Sequence, residues 1–292
     1  MDSFYHLYEI GAIRMRFFSL TTWSLHRNLG PLRWTRWNEA ERRHTTEPQE
    51  QPELLSLLEL PAVLAEKGFE AANVCHFHIP DEGEGYARAL REAFAAARVR
   101  LFTLLLDYGD IASADETRRA ADLAWLKRWI DFASVAGAER VRVVAGEAGP
   151  DDADALRRSA EGLRELCEYA APRGVRVATE NFRPLTSTAA NCLSLLEACG
   201  ESLGLIADFG NFGGPTKLEE LGRIVPRAEE IHAKAKTDEA GMPDADELRS
   251  CLELVRASGF AGPITLVYDG PGDMWEGIER VREIVRPYIN ER

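Results

Sequence analysis

The stretch that decides the fold reads GVRVATENF at 174–182, LGLIADFGNF at 203–212 and EEIHAKAK at 229–236. Each segment contains a strand-like run, and segments of helical length lie between them. Strands that alternate with helices indicate a parallel sheet joined by right-handed crossovers. The runs end at Glu180 and Asp208, and His232 lies in the third. Because parallel strands end at one edge of a sheet, we expect these three side chains to meet there.

The same alternation extends over the rest of the chain. We predict strands at 17–22, 70–77, 99–106, 140–144, 174–180, 203–207, 228–233 and 263–268. The predicted helices are 54–67, 87–98, 115–136, 152–171, 188–199, 217–225, 244–258 and 273–288. Eight strand-then-helix units in about 275 residues predict a single-domain (β/α)8 TIM barrel. A doubly wound open sheet is the alternative, but it usually has a glycine-rich loop after its first strand, and no such loop follows Thr22.

Composition limits the classes of function. The 292 residues carry a net charge of -13, from 35 basic and 48 acidic side chains, which disfavours nucleic-acid and anionic-membrane partners. Five scattered cysteines without a C-x-x-C pair are typical of a reduced, cytoplasmic protein. No apolar run approaches the roughly 20 residues of a membrane span. An acidic barrel is also compatible with a homo-oligomer.

Two segments fall outside the regular alternation. Residues 1–14 lack the apolar core of a signal peptide, and we interpret them as a disordered or mis-started tail before a barrel at 15–292. Residues 31–53 are mostly polar and include Trp34 and Trp37. We predict a long loop there that covers the site, with ordinary loop packing of the two indoles as the alternative.

The three converging side chains form a candidate metal site. Two carboxylates and one imidazole suit Mn²⁺, Mg²⁺, Co²⁺ or Zn²⁺, and the oxygen-rich set favours the harder ions. Glu180 and Asp208 could instead be ion-paired or capping groups. Three such groups at the ends of adjacent strands favour a site at the end of the barrel where active sites lie.

The motifs around these residues resemble those of the xylose isomerase-like superfamily of sugar isomerases and epimerases. The resemblance extends from about Met15 to the end, and its motifs are Trp23-Ser24-Leu25-His26-Arg27, Thr179-Glu180-Asn181, Asp208-Phe209-Gly210-Asn211, Ile231-His232-Ala233-Lys234 and Tyr268-Asp269-Gly270-Pro271. It implies a (β/α)8 barrel with one divalent metal, often Mn²⁺. The metal ligands would be Glu180, Asp208, His232 and a second Glu from the last strand.

The sequence departs from the family at that second Glu. The matching position is Val267, which cannot bind a metal or move a proton. Asp269 lies two residues further and would replace it as fourth ligand and catalytic group. In the family's 3-epimerases two Glu residues act as bases on opposite faces of one carbon, so Val267 weakens that mechanism in particular.

The predicted chemistry is isomerisation, epimerisation or dehydration of a small sugar-like carbonyl compound by proton abstraction and an enediolate. Glu180 would bind the metal or act as base, and Lys234 would stabilise the enediolate. Both Lys234 and Lys236 could instead be ion-paired to Glu180 or Asp208. His76 and His78 are expected to share one face of the second strand. The predicted substrate-binding residues are Trp23, His26, His76, His78, Asn181, Asn211 and Lys236.

Three alternative functions stay open at this level. A barrel without the second Glu could bind a sugar-like ligand without catalysis. A metal-dependent lyase or dehydratase would act on a cyclitol or a keto acid. An AP endonuclease-like nuclease has the same fold, but it needs a histidine where this chain has Asn211, and the chain has only 6 histidines in all.

Overall fold

Parallel strands close into a barrel in the computed structural model of the chain, which describes residues 16–290. The strands in chain order are β1 (Phe17–Thr21), β2 (Leu32–Asn38), β3 (Arg43–Gln49), β4 (Ala71–Cys75), β5 (Arg100–Leu106), β6 (Arg140–Val143), β7 (Arg176–Glu180), β8 (Leu203–Asp208), β9 (Glu230–Lys234) and β10 (Pro263–Val267). All except β2 and β3 belong to the barrel, and β1 closes it by pairing with both β4 and β10. The predicted single-domain TIM barrel is confirmed. The tail predicted at 1–14 lies outside the described residues.

A helix follows each barrel strand and packs on the outside. The helices are α1 (Leu60–Glu66), α2 (Glu84–Ala97), α3 (Glu116–Ala136), α4 (Ala153–Ala170), α5 (Ala189–Cys199), α6 (Lys217–Ile224), α7 (Ala245–Ala257) and α8 (Met274–Asn290). The Thr188 hydroxyl caps α5 by accepting a hydrogen bond from Asn191 N, as the sequence predicts. The first helix is shorter than predicted, because it begins at Leu60 with Pro61 in its first turn. Over residues 16–290, no helix combines the length and the apolar character that crossing a membrane requires.

Residues 31–53 form an ordered antiparallel hairpin and not the predicted loop. Strands β2 and β3 pair from Leu32↔Gln49 to Asn38↔Arg43. Alternation in β2 turns Leu32 and Trp34 towards the barrel, where Leu32 is buried and the Trp34 ring lies 4.5 Å from that of Phe77. The buried Leu32 and the partly buried Trp34 hold the hairpin against the barrel, and the polar residues around them conceal this anchor in the sequence.

Inside the barrel, polar and apolar layers succeed one another. Glu230 lies in the interior with Asn73, Thr103 and Thr265, which donate hydrogen bonds to it. A second interior group is apolar and consists of Leu32, Cys75, Phe77, Leu105, Ala178 and Ile206, with Trp23 and Trp34 packed against it. Residues two apart in β10 share a face, so Val267 faces inward as Thr265 does. The barrel interior is therefore filled with side chains and is not a pore.

The close approach of α8 to Tyr268 predicts the effect of one substitution. A Cβ at Gly277 would lie 2.2 Å from two atoms of the Tyr268 ring, which is buried and fixes the turn that carries Asp269. We expect Gly277→Ala to lower the free energy of unfolding by about 3 kcal/mol through overpacking. Urea denaturation measures this change. Gly222→Ala in α6 is the control, because its Cβ would be 3.8 Å from the nearest atom. The control should gain about 0.5–1 kcal/mol from helix propensity. Equal losses in both variants would contradict the packing argument.

Candidate metal centre

Glu180, Asp208 and His232 meet at the end of the barrel. Each offers one ligand atom, and these atoms all lie within 4.8 Å of one another. His232 Nδ1 is 3.7 Å from Glu180 Oε1 and 3.6 Å from Asp208 Oδ2. All three side chains are buried. The convergence predicted from the ends of adjacent strands is therefore present in the structure.

Neighbouring groups orient the two carboxylates. The Asn211 amide donates to Glu180 Oε1 over 2.9 Å, and Gly210 N donates to Asp208 Oδ1 over 2.6 Å. The Asn181 side chain does not contact either carboxylate. It donates to Asp208 O and accepts from Asp208 N, which joins the ends of β7 and β8. Asn211 is thus a contact of the cluster, whereas Asn181 fixes the backbone beneath it.

The charges of the cluster favour a cation between its members. Burial raises the pKa of Glu180, although the charges of Arg142 and His232 oppose this. Burial alone would lower the pKa of His232, but Asp208, Glu230 and Glu180 raise it to about 10. A divalent cation that binds there would compete with a proton for the imidazole, because a metal-binding histidine must be neutral.

The donor set fits a divalent cation on two grounds. Glu180 Oε2 is buried and accepts no hydrogen bond from the described residues, and Arg142 Nε at 2.9 Å is its charged neighbour. Two carboxylates and one imidazole also match the ligand preferences of Mn²⁺, Co²⁺ and Zn²⁺. Glu180, Asp208 and His232 would hold the ion.

Arg142 is a member of the site that the sequence reasoning missed. Its Nε lies 2.9 Å from Glu180 Oε2, although neither atom has a hydrogen-bond partner, so the contact is an ion pair without hydrogen-bond geometry. Its other end binds Asp107 and donates to Leu106 O over 3.2 Å. Burial would lower the pKa of Arg142, but Asp107 and Glu180 raise it. A signal was available in Arg140-Val141-Arg142-Val143, since charges at alternate positions of a buried strand face the barrel interior.

The fourth corner of the site is the place where the family pattern predicts a second Glu as metal ligand, and Val267 and Asp269 lie there. Val267 is buried and pairs in register with Lys234 of β9. The Asp269 carboxylate lies 2.7 Å from Lys234 Nζ, and the clustered ligand atoms come only from Glu180, Asp208 and His232 among residues 16–290. Burial lowers the pKa of Lys234, but Asp208 and Asp269 more than compensate and raise it. Asp269 as a metal ligand and catalytic group stays a prediction.

Lys236 lies outside this corner. Strand β9 ends at Lys234, and the Lys236 ammonium is 3.3 Å from Glu247 of α7. The sequence predicts that His232, Lys234 and Lys236 share one strand face. This prediction applies to His232 and Lys234 only, because Lys236 lies beyond the end of the strand. The ion pair expected for the lysines is made with Asp269 and Glu247, and not with Glu180 or Asp208.

Aromatic side chains pack at the mouth of the barrel. The Trp23 and His26 rings stack 4.3 Å apart, and His26 Nδ1 lies 2.7 Å from Trp23 O. Trp23 also meets Phe77 edge-on at 6.0 Å and Trp34 at 6.5 Å. Such rings can stack on the apolar face of a sugar. The roles of Trp23 and His26 in substrate binding stay predictions.

The expectation that His76 and His78 share a strand face is wrong. Both lie in a short 3-10 helix after β4, and Phe77 between them joins the interior apolar group. The His76 ring packs 5.2 Å from Trp125 and 5.6 Å from Trp129 of α3. His78 Nδ1 lies 2.8 Å from Thr22 Oγ1. Among residues 16–290, neither histidine belongs to the group of ligand atoms formed by Glu180, Asp208 and His232.

The closed parallel barrel places this chain in the class of TIM barrels. Its clustered polar groups lie at the carboxyl ends of the strands, the end at which active sites lie in this class. The chain belongs to the xylose isomerase-like TIM barrel family, whose profile matches residues 61–285. The resemblance stated from the strand-end motifs is thereby confirmed. No curated protein matches the sequence.

Solved structures share the fold at low identity. The structure of L-ribulose 3-epimerase has a TM-score of 0.69 and 17% identity, and the match covers 94% of this chain and 95% of that one. The IOLI protein with a binding zinc atom has a TM-score of 0.68 and 14% identity, covering 94% and 98%. The probable 3-DHS dehydratase AsbF from Bacillus anthracis has a TM-score of 0.63 and 17% identity, covering 92% and 98%. At these identities the likeness establishes the fold.

Proposed function

We propose that the protein is a divalent-metal-dependent isomerase or epimerase of a small polyhydroxylated carbonyl compound. The observation that carries the proposal is the convergence of Glu180, Asp208 and His232 ligand atoms within 4.8 Å at the mouth of the barrel. The similar structures support this class, because they include an L-ribulose 3-epimerase and a protein with a binding zinc atom. Mn²⁺ is the ion we favour, with Mg²⁺, Co²⁺ and Zn²⁺ as alternatives.

Each side chain of the site has a separate role in the proposed reaction. The bound cation would supply Lewis-acid polarisation of the substrate carbonyl. Glu180 is the base that removes the proton next to that carbonyl, since burial raises its pKa. Lys234, 28% exposed at its side chain, donates to the oxygen on which negative charge develops. Trp23 and His26 would bind the substrate face.

Val267 favours a second candidate within the same chemistry. Epimerisation needs an acid or base on each face of one carbon, and an apolar side chain occupies one of the two expected places. Dehydration or isomerisation needs a different arrangement, and the similar probable dehydratase supports dehydration as the second candidate. Asp269 would restore a second carboxylate if it leaves Lys234.

We expect purified wild type to bind about one equivalent of Mn²⁺, and Glu180→Gln and His232→Ala to lose it, because each removes one of three buried ligands. Metal analysis after dialysis measures this. Glu168→Gln, an exposed carboxylate on α4, is the control and should bind as wild type does. Equal metal content in all four proteins would remove the metal site.

The reaction itself is tested by solvent exchange. Incubation of the metal-loaded protein with a panel of ketoses and aldoses in D2O should place deuterium on the carbon next to the carbonyl, which NMR detects. New sugar signals identify isomerase or epimerase activity, and an unsaturated product identifies dehydration. Metal and sugar binding without exchange would favour the non-catalytic binding barrel. Cleavage of abasic DNA would favour the nuclease.

A further inference from the structure

A cavity of about 170 Å³ lies between the hairpin of β2 and β3, the segment after β4, and α3. Thr35 and Thr46 are opposite each other in the hairpin register, and Arg33 lies two residues before Thr35, so these three side chains share one face of the hairpin. The cavity exceeds the roughly 10–15 Å³ that one water requires, but it is smaller than the roughly 300–1,000 Å³ of pockets for drug-sized ligands. It therefore suits a small ion or one group of a larger ligand. The polar residues that line it are Arg33, Thr35, Thr46, His76, Glu82 and Trp129.

Two ring nitrogens of the lining residues have no hydrogen-bond partner among residues 16–290. Trp129 Nε1 and His76 Nε2 are both buried, and an indole nitrogen can only donate. His76 Nδ1 accepts from Asp107 N over 3.2 Å, a shorter contact than the 3.4 Å to Leu105 O, which places the ring proton on Nε2. Burial lowers the pKa of His76 to about 4, so the ring is a neutral donor at neutral pH. Buried donors of this kind usually bind a water or an ion.

Arg33 supplies a positive charge at the same cavity. Among the described residues its guanidinium forms no ion pair, and its one hydrogen bond is donated by Nη1 to Pro31 O over 3.1 Å. A guanidinium has five N–H groups in a planar fork that matches the oxygens of a phosphate, so most of its donors are available to a ligand. Glu82 lines the cavity as well, but it is exposed, as is Thr46. A ligand can therefore enter from solvent on the side of Glu82 and Thr46.

We propose that this cavity binds a phosphate group, with Arg33 as its charged contact and Trp129 Nε1 and His76 Nε2 as further donors. Thr35 and Thr46 would add two hydroxyl groups from the hairpin. A phosphate has more acceptor oxygens than a carboxylate, which suits donors that come from the hairpin, from α3 and from the segment after β4. The metal cluster contains none of these five residues, so the inference is independent of the proposed metal-dependent function.

The first test is calorimetric titration with inorganic phosphate, after treatment with a chelator so that phosphate cannot bind through a metal. We expect saturation with a dissociation constant on the order of 1 mM or below, and Arg33→Met should weaken binding by about tenfold or more. Glu82→Gln should tighten binding by about twofold, because it removes a repelling charge. Arg36→Met is the matched control, since Arg36 lies on the same strand but is exposed and pairs with Glu47 over 3.3 Å.

These titrations can overturn the inference in three ways. The first is the absence of saturation below about 10 mM phosphate. The second is equal weakening by Arg33→Met and Arg36→Met, because the control should stay within about twofold of wild type. The third is tighter binding of acetate than of phosphate, which would exclude phosphate as the preferred ligand.

The indole N–H of Trp129 gives a second readout that needs no variant. In ¹H–¹⁵N NMR of the wild type, phosphate should shift the Trp129 Nε1–H signal downfield as it accepts the hydrogen bond, with the same midpoint as the calorimetric titration. The signal of Trp275, which lies on α8 beside Lys67, is the control and should not move. A constant Trp129 signal at saturating phosphate would overturn the inference even if Arg33→Met fails to fold.

The source of the phosphate group is distinguished by a sugar phosphate. If glucose 6-phosphate binds about tenfold tighter than inorganic phosphate, and Arg33→Met weakens both, the cavity holds the phosphate of a larger ligand. Equal affinities that both depend on Arg33 would assign the free ion. Displacement of bound phosphate by unphosphorylated glucose would contradict the inference, because glucose carries no charge for Arg33 to bind.

Discussion

Replacing Arg142 with methionine is expected to lower the free energy of unfolding of the metal-free protein by about 3–5 kcal/mol, because this buried cation pairs with the buried carboxylate of Glu180 and the partly buried one of Asp107. Arg142 is 4% exposed and contacts both Asp107 and Glu180. Methionine fills a similar volume but leaves both negative charges without their partner. Breaking a buried pair in this way costs more than losing an exposed one. Urea denaturation in the presence of a chelator measures the loss.

The same variant reports on the metal. A divalent cation at Glu180 would replace part of the lost positive charge, so saturating Mn²⁺ should raise the melting temperature of Arg142→Met more than that of wild type. Arg157→Met is the matched control, because Arg157 forms exposed pairs with Asp154 and Glu161 on α4. Its stability should change by about 0.5 kcal/mol or less. Equal Mn²⁺-induced shifts in Arg142→Met and wild type would contradict the charge argument.

Glutamate in place of Val267, as the family pattern predicts, should add a metal ligand at the fourth corner of the site. We predict that Val267→Glu tightens Mn²⁺ binding by about tenfold or more, equivalent to about 1.4 kcal/mol. The new carboxylate would face inward from the last barrel strand, in register with Lys234 and beside the strand of His232. Val267→Gln has the same size without the charge and is the control. Calorimetric titration of the two variants separates a new ligand from a change in packing.

Asp269 is tested in the same series. If Asp269 leaves Lys234 to bind the metal, Asp269→Ala should weaken Mn²⁺ binding of wild type, and it should do so less in the Val267→Glu background, where the corner is already filled. Unchanged affinity in Asp269→Ala would remove Asp269 from the ligand set. Failure of Val267→Glu to exceed Val267→Gln would show that the corner takes no part in metal binding.

Local periodicity was sufficient to predict the barrel and the core of its site. The pattern of apolar residues predicts the alternation of strands and helices, and the direction of the chain identifies the carboxyl end of each strand. The sequence alone could therefore predict that Glu180, Asp208 and His232 lie close together. The hairpin at 32–49 was not predicted because its anchoring side chains, Leu32 and Trp34, pack against residues that are distant in the sequence, such as Phe77.

The sequence did not predict which side chains contact one another across the barrel. Arg142 meets Glu180, and Glu230 meets His232, through strand order and closure rather than through sequence spacing alone. The turn of His76 towards α3 depends on a 3-10 helix that resembles a continued strand in sequence. The sequence by itself determined which residues reach the mouth of the barrel, since alternation and chain direction are properties of the backbone. Only the tertiary structure decided which of them touch, because closing eight strands into a ring brings together side chains that lie far apart along the chain.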